Sequence, residues 1–387
     1  MKKNLLYLLA LCCGLLTQSC FKTTQEKPVK PRAIWSKEQA HAWYDKQGFL
    51  IGPNFTPSTA INQLEMWQAE TFDTATISRE LGWAKSIGMN TARVYLHDLL
   101  WQQDSAGFLQ RIDTFLSIAE RHNIKPMLVF FDSVWDPNPK IGKQRDPKPH
   151  VHNSGWVQSP GSAGLQDSSQ HPRLERYVKG VMLKFAQDDR VLAWDIWNEP
   201  YNQNHGSAYG KQELPNKLDL VLPLLKKSFV WARAVNPSQP VTSAIWMGNW
   251  ESHDSLTAIQ KVMVDESDII SFHNYDNGQE LEKRINWLKR YGRPMLCTEY
   301  MARPNGSTFQ SSLPIAQKHN VGMMNWGFVA GKTNTIYPWD SWDKQYTAEP
   351  EVWFHDIFRQ DGTPYSQEEV DMIKVYATSN NPGIVIE

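Results

Sequence analysis

Between residues 49 and 328 the sequence alternates short apolar, strand-like runs with segments whose apolar residues recur at helical spacing. The strand candidates are Phe49–Asn54, Thr91–Leu96, Lys125–Phe131, Val191–Trp197, Pro240–Trp246, Asp268–Tyr275, Pro294–Glu299 and Gly322–Phe328. Helix-period stretches lie between them, at Asp73–Ser86, Gly107–His122, Pro172–Gln187, Pro215–Ala234, Glu280–Tyr291 and Ser311–Lys318. Asp73 with Thr76 is a helix-opening pair, and Pro172 suits a first helical turn. The last four strand candidates begin at 240, 268, 294 and 322, a near-constant step close to the roughly thirty residues of a βαβ unit. Strict alternation implies a parallel sheet, and eight units imply closure. The expected fold is therefore α/β, a (β/α)8 TIM barrel in a single domain over 35–387. An open doubly wound sheet fits less well, because no glycine-rich phosphate loop follows any strand.

The step from the third strand to the fourth is long, from 125 to 191. The excess is Ser133–Gln170, rich in Pro, Gly, His, Lys and Trp. Insertions that leave the carboxyl end of a barrel strand build substrate walls. Thr347 to Glu387 holds a helix-like stretch, Gln367–Tyr376, expected to pack as an extension on the outside of the barrel.

Lys2 and Lys3 precede an apolar run, Leu5 to Leu16, that is too short to span a bilayer as a stable helix. Thr17-Gln18-Ser19-Cys20 follows, in the manner of a bacterial lipoprotein signal whose cysteine receives lipid. Residues 1–20 read as that signal and 21–34 as a tether from membrane to domain. The expected location is outside the cytosol, at a bacterial outer membrane, cell surface or periplasm. A plain secretory signal with an incidental cysteine is the alternative. Cys12, Cys13 and Cys20 are thereby accounted for, so only Cys297 remains and the mature chain has no internal disulfide. Cys297 lies in an apolar run and reads as a buried small hydrophobe.

A formal net charge of −1 gives no footprint for nucleic acid. The 17 tryptophans exceed what core packing alone asks of this length, and aromatic faces stack on the C–H surfaces of sugar rings. Trp135, Trp156, Trp246 and Trp250 are the loop or strand-end candidates. His150 and His152 lack the companion ligands of a metal site, and no metal or other cofactor is expected. Protein partners are not indicated.

Two carboxylates carry the chemistry. Glu199 ends the fourth run, in Trp197-Asn198-Glu199-Pro200, and Glu299 ends the seventh, in Cys297-Thr298-Glu299-Tyr300. In a barrel both emerge at one rim, as a glycosidase requires of its proton donor and its nucleophile or base. Strand alternation places Arg93, Tyr95 and His97 on one face, Ser271, His273 and Tyr275 on another, and Cys297 and Glu299 on a third. Polar groups costly in a sealed core thus recur at the carboxyl ends of several strands. Asp195 is expected to make an internal polar contact with an arginine.

Trp197-Asn198-Glu199-Pro200, Ser271-Phe272-His273-Asn274-Tyr275, Thr298-Glu299-Tyr300 and Asn325-Trp326-Gly327 occur in that order. This series resembles the clan A retaining glycoside hydrolases, especially family 5 and the catalytic barrel of family 2, over about residues 49 to 365. The resemblance implies Glu199 as acid/base and Glu299 as nucleophile. It implies Arg93 and Tyr275 as partners that keep Glu299 ionised, Asn198 as a donor to a sugar 2-hydroxyl, His273 lining the cleaved subsite and Trp326 as its hydrophobic floor; for His97 a structural role and a substrate contact stand evenly. Glu199 must hold its proton until the leaving oxygen arrives, which an apolar wall including Trp197 would favour. Family 5 often carries a histidine at the end of the third strand, where this chain has Phe131-Asp132-Ser133. Asp132 or His97 fills that space, which leans toward family 2. The implied activity is hydrolysis of β-linked glycans such as xylan, mannan or β-glucan. A transglycosylase of the same mechanism and a non-catalytic carbohydrate-binding lipoprotein are the alternatives.

Overall fold

The computed structural model describes residues 31–379. The expected signal (1–20), its Cys20 and most of the tether lie outside the described residues. Arg32, near the end of that tether, is already bound to the domain: its guanidinium donates to both carboxylate oxygens of Asp268.

All eight strands form: β1 (Ile51–Pro53), β2 (Thr91–Tyr95), β3 (Lys125–Asp132), β4 (Ala193–Asn198), β5 (Val241–Thr242), β6 (Ile270–His273), β7 (Met295–Tyr300) and β8 (Val321–Asn325). Every pairing is parallel, in the orders β1-β8-β7-β6 and β2-β3-β4-β5. Single bridges join the two sets, Asn54 to Arg93 and Ile245 to Phe272, and close the barrel. The β5 run is shorter than its apolar stretch because the chain leaves the ladder after Thr242 and returns only at Ile245.

Helices separate the strands where periodicity places them. Asp73 accepts the Thr76 N–H and opens Thr74–Ser86. Pro172 stands in the first turn of His171–Phe185, whose buried Leu174, Tyr177, Val178, Val181, Met182 and Phe185 form one stripe against the sheet. Three differences stand out. Helix Ala258–Asp265, opened by a Thr257/Gln260 capping box, was not legible, being only two turns long. Helix Lys37–Tyr44 precedes β1. The helix after β2 begins at Asp98 rather than Gly107, with a kink at Asp104. Helix Gln367–Ser379 packs on helix Phe309–His319, and Glu369 pairs with Arg303 at 2.6 Å. No helix among the described residues is long and apolar enough to cross a membrane.

The barrel's ends differ. A compact apolar cluster of Leu50, Met127, Leu192, Ala193, Ile269 and Leu296 packs under Ala40 and Tyr44 of the first helix. At the other end the strands deliver buried polar side chains: Arg93, Asp132, Asp195, Asn198, His273 and Glu299.

Candidate active site

Arg93 on β2 organises the polar end. It is wholly buried, and each donor edge is used. Nε and Nη2 donate to Asp195 Oδ2 at 3.0 and 2.8 Å, and Nη2 also reaches Asn198 Oδ1 at 2.8 Å. Nη1 donates to Glu299 Oε1 at 2.7 Å and to Asn54 Oδ1 at 3.0 Å. Burial alone would lower the guanidinium's pKa, but Tyr95, Asp195 and Glu299 around it raise the pKa and keep the charge. The rigid fork suits this work, since one cation holds groups from β2, β4 and β7 in fixed relation. Asp195 meets the arginine expected of it.

Glu299 receives two further donors. Tyr95 Oη donates to Oε1 at 2.9 Å, and Tyr275 Oη donates to Oε2 at 2.8 Å. Burial would push the carboxyl up, but the charges of His273 and Arg93 and the bonds from Tyr275 and Arg93 outweigh it and hold Glu299 below the ordinary value. Burial also pushes both phenols well above their ordinary range, so each keeps the proton it donates.

Glu199 follows β4 in a left-handed backbone conformation, φ 45°. That costs a residue with a Cβ about 1–2 kcal/mol, held here by the surrounding contacts, and it turns the carboxylate back over the barrel mouth. Asn202 Nδ2 donates to Oε2 at 2.6 Å, and His273 Nδ1 meets Oε1 at 3.0 Å. The same His273 nitrogen lies 3.6 Å from Glu299 Oε2. Atoms of Glu199, His273 and Glu299 lie within 4.8 Å of one another. Among the described residues this is the group compact enough to hold a metal ion, and Arg93 on Glu299 sets a positive charge against one there.

A cavity of about 290 Å³ opens above the pair. Asn198, Glu199, Tyr275, Glu299 and Trp326 line its base, with Trp135, Trp246 and Trp339 on its sides. Trp326 packs edge-on against Tyr95 and Trp156 at 5.8 Å from each. The structure thus brings Arg93, Asn198, Glu199, His273, Tyr275, Glu299 and Trp326 together.

It does not bring His97 there. β2 ends at Tyr95, and His97 Nδ1 instead accepts the Leu99 N–H at the head of the next helix, fully buried. Trp197 does not wall Glu199 either: its indole donates to Ser133 Oγ and its ring packs on Phe131. Trp156 and Trp250 are buried beneath the surface, while Trp135 and Trp246 reach the cavity. Cys297 is buried, and burial pushes its thiol pKa up. Nδ1 of His150 bonds the Tyr337 hydroxyl and Nδ1 of His152 the Tyr337 carbonyl, rather than converging on a shared point.

Asp132 fills the end of β3, accepting from Asn198 Nδ2 at 3.0 Å and Trp156 Nε1 at 2.6 Å. Asn198 is therefore held at both ends of its amide, with one Nδ2 hydrogen left for another acceptor. Sequence reasoning gave no role to Tyr95, Asn202, Asn153 or Trp339. Tyr95 shares a strand face with Arg93, and that signal was available. Asn202, Asn153 and Trp339 sit in irregular segments, where no periodicity fixes direction.

Comparison with known proteins bears on the family and the fold. The model of "Cellulase (glycosyl hydrolase family 5)" matches residues 52–345. A probable mannan endo-1,4-β-mannosidase A of Aspergillus niger is 24% identical over 157 residues, 35% of this chain. The match spans 38% of that relative's length. Among solved structures, an endo-β-1,4-mannanase from Thermotoga petrophila aligns with TM-score 0.55 at 13% identity, covering 88% of this chain and 79% of its own. An exo-β-1,4-mannosidase from an Opitutaceae bacterium aligns with TM-score 0.56 at 16% identity, covering 87% of this chain and 60% of its own. At such identities these structures share the fold. None of the comparisons speaks for the family 2 barrel.

Proposed function

The chain belongs to glycosyl hydrolase family 5, and from that premise we propose that it hydrolyses β-linked glycans with retention, Glu299 acting as nucleophile and Glu199 as acid/base. One observation carries the reading: two carboxylates from different strands approach within 4.8 Å, and only one of them is wrapped by Arg93, Tyr95 and Tyr275. Retaining enzymes need carboxyl groups about 5–5.5 Å apart, while inverting ones leave room for water at about 6.5–9.5 Å.

In the first step Glu299 attacks the anomeric carbon. The glycosidic C–O bond breaks, and Glu199 gives its proton to the departing oxygen. In the second, Glu199 takes a proton from water, the hydroxyl oxygen bonds the anomeric carbon, and Glu299 leaves. Arg93, Tyr95 and Tyr275 hold the Glu299 charge when it is free and release it when it bonds. Asn198, anchored by Arg93 and Asp132, offers its remaining hydrogen to a ring hydroxyl, and Trp326 supports the ring's apolar face. His273 touches both carboxylates and keeps them in register.

Among β-linked glycans we favour β-mannosides. The Aspergillus, Thermotoga and Opitutaceae proteins are each named for that linkage. Export as a lipoprotein through Cys20 remains part of the proposal, supported by the basic, apolar and Ser19-Cys20 pattern of the N-terminus.

The test uses unequal roles. Glu299→Ala should lower turnover by on the order of 10⁵-fold on every substrate. Glu199→Ala should spare the first step on aryl glycosides with good leaving groups, and azide should restore the second as a β-glycosyl azide. Proton NMR of fresh product should show retained configuration. Inverted product, or two variants equally dead and unrescued, would refute the assignment.

A further inference from the structure

Two segments leave the barrel on either side of β1 and β2, and they are bolted together above those strands. One is the insertion after β3, and the other follows β8. Asn153 N donates to Thr333 O at 2.7 Å, and His152 N donates to Ser341 Oγ at 2.9 Å. His152 Nδ1 donates to Tyr337 O at 2.8 Å, and Asn334 Nδ2 to Lys148 O at 3.0 Å. Trp135 packs on Trp342 with ring centroids 5.6 Å apart. Together these form a strap across one arc of the rim.

The opposite arc is open. There, after β5, the cavity is bordered by half-buried Trp246, with exposed Met247, Gly248 and Asn249 beyond; the loop after β4 is tied to the strap through Asn204 and Tyr209 and exposes His205 and Gly206 at the cavity edge. Glu199 ends β4 on this open side. A leaving group that takes its proton from Glu199 therefore departs toward the open arc. The ring held by Glu299 has its far, non-reducing end directed away from Glu199, toward the strap.

The strap presents built polar groups to the cavity. Asn153 lines it and is 1% exposed, yet neither its Nδ2 nor its Oδ1 has a hydrogen-bond partner among the described residues. An unsatisfied buried amide costs about 1–3 kcal/mol, and a pair of sugar hydroxyls, one donating and one accepting, would satisfy it. His152 lines the same wall. With Nδ1 donating to Tyr337 O, its Nε2 carries the lone pair, and burial lowers the ring's pKa to about 4, which keeps it neutral.

We propose that the strap closes the non-reducing end of the cleft, that Asn153 and His152 bind hydroxyls of the terminal sugar there, and that the enzyme consequently shortens β-linked chains from that end. The inference rests on the assignment of Glu199 as acid/base and Glu299 as nucleophile. A groove open at both ends would let a chain pass through. A wall with unpaired donors and acceptors rejects an analogue that cannot fill them.

Reducing-end-labelled β-1,4-linked manno-, gluco- and xylohexaose, followed by mass spectrometry, test it. The label should appear on chains shortened in a constant step, and methylation of the terminal sugar's hydroxyls should block cleavage. Labelled products of all lengths appearing together at the earliest times would overturn the inference while leaving the glycosidase reading intact. Cleavage of none of the three would remove both. Asn153 adopts a left-handed backbone, φ 49°, so Asn153→Gly removes the amide without straining the chain. That variant should keep its melting temperature and lose about 10- to 100-fold in kcat/KM on the hexaose. Undiminished kcat/KM would overturn the role of Asn153.

Discussion

The two ends of this barrel are built from the same strands and obey opposite rules. At the amino end, Leu50, Met127, Leu192, Ile269 and Leu296 make an apolar plug sealed by the helix Lys37–Tyr44. At the carboxyl end, Arg93, Asp132, Asp195 and Glu299 are as deeply buried, yet each is charged or polar. The plug is stabilised by area removed from water, with no directional demand. The polar end is held by geometry. Desolvating each of those ions costs several kcal/mol; Arg93 offsets it for Asp195 and, with Tyr95 and Tyr275, for Glu299, while Asn198, Trp156 and Gln63 donate to Asp132. The difference separates what stabilises the barrel from what the barrel holds in place, and it can be broken from either side.

The largest effect is expected at Arg93. Arg93→Met leaves Asp195 and Glu299 buried without their cation, so it should destabilise the fold by about 3–5 kcal/mol and abolish turnover in whatever folds. Urea unfolding and assay of the soluble fraction check both. Activity lost with stability intact would mean that Arg93 serves the chemistry alone.

Leu296→Ala, one turn of the pleat below the site on β7, should cost about 2–5 kcal/mol in unfolding free energy. Its kcat per folded molecule should stay within about twofold, because distant sites act independently. A large fall in kcat would show that the plug also positions Glu299.

The smallest effect belongs to Tyr275→Phe, which removes one donor from Glu299 Oε2. It should lower kcat/KM by about 10-fold. The pH dependence is more informative. Glu299 is held below its ordinary value of 4.5, so its interactions stabilise the fold above that pH and fade as pH falls through the lowered value. The acid limb of kcat/KM should accordingly lie below 4.5 in the parent and move to higher pH in Tyr275→Phe. A limb that stays in place would assign the donor role to Arg93 and Tyr95 instead.

Particular residues show what was readable. The strand runs, the helix-opening Asp73 and Pro172, and the positions of Glu199 and Glu299 at strand ends follow from local pattern. So does the Asp195–Arg93 contact, because an unpaired buried carboxylate demands a partner. The reading of His97 failed for an equally local reason. Strand alternation was extended two residues beyond Tyr95, where the chain had already turned to cap a helix. The Trp197 wall failed because a strand residue next to a turn can face either layer, and here its indole bonds the Ser133 hydroxyl and packs on Phe131 in the core shared with the helices.

By itself, then, the sequence determined the barrel and the identity of its acidic pair, since both arise from short-range periodicity and from residue types with few physical uses. Only the tertiary structure decided that Tyr95 joins Arg93 and Tyr275 on one carboxylate, that Asn202 reaches the other, and that two irregular segments nearly two hundred residues apart close one side of the mouth. Those facts depend on contacts between distant parts of the chain, and no local spacing encodes the direction in which a loop returns.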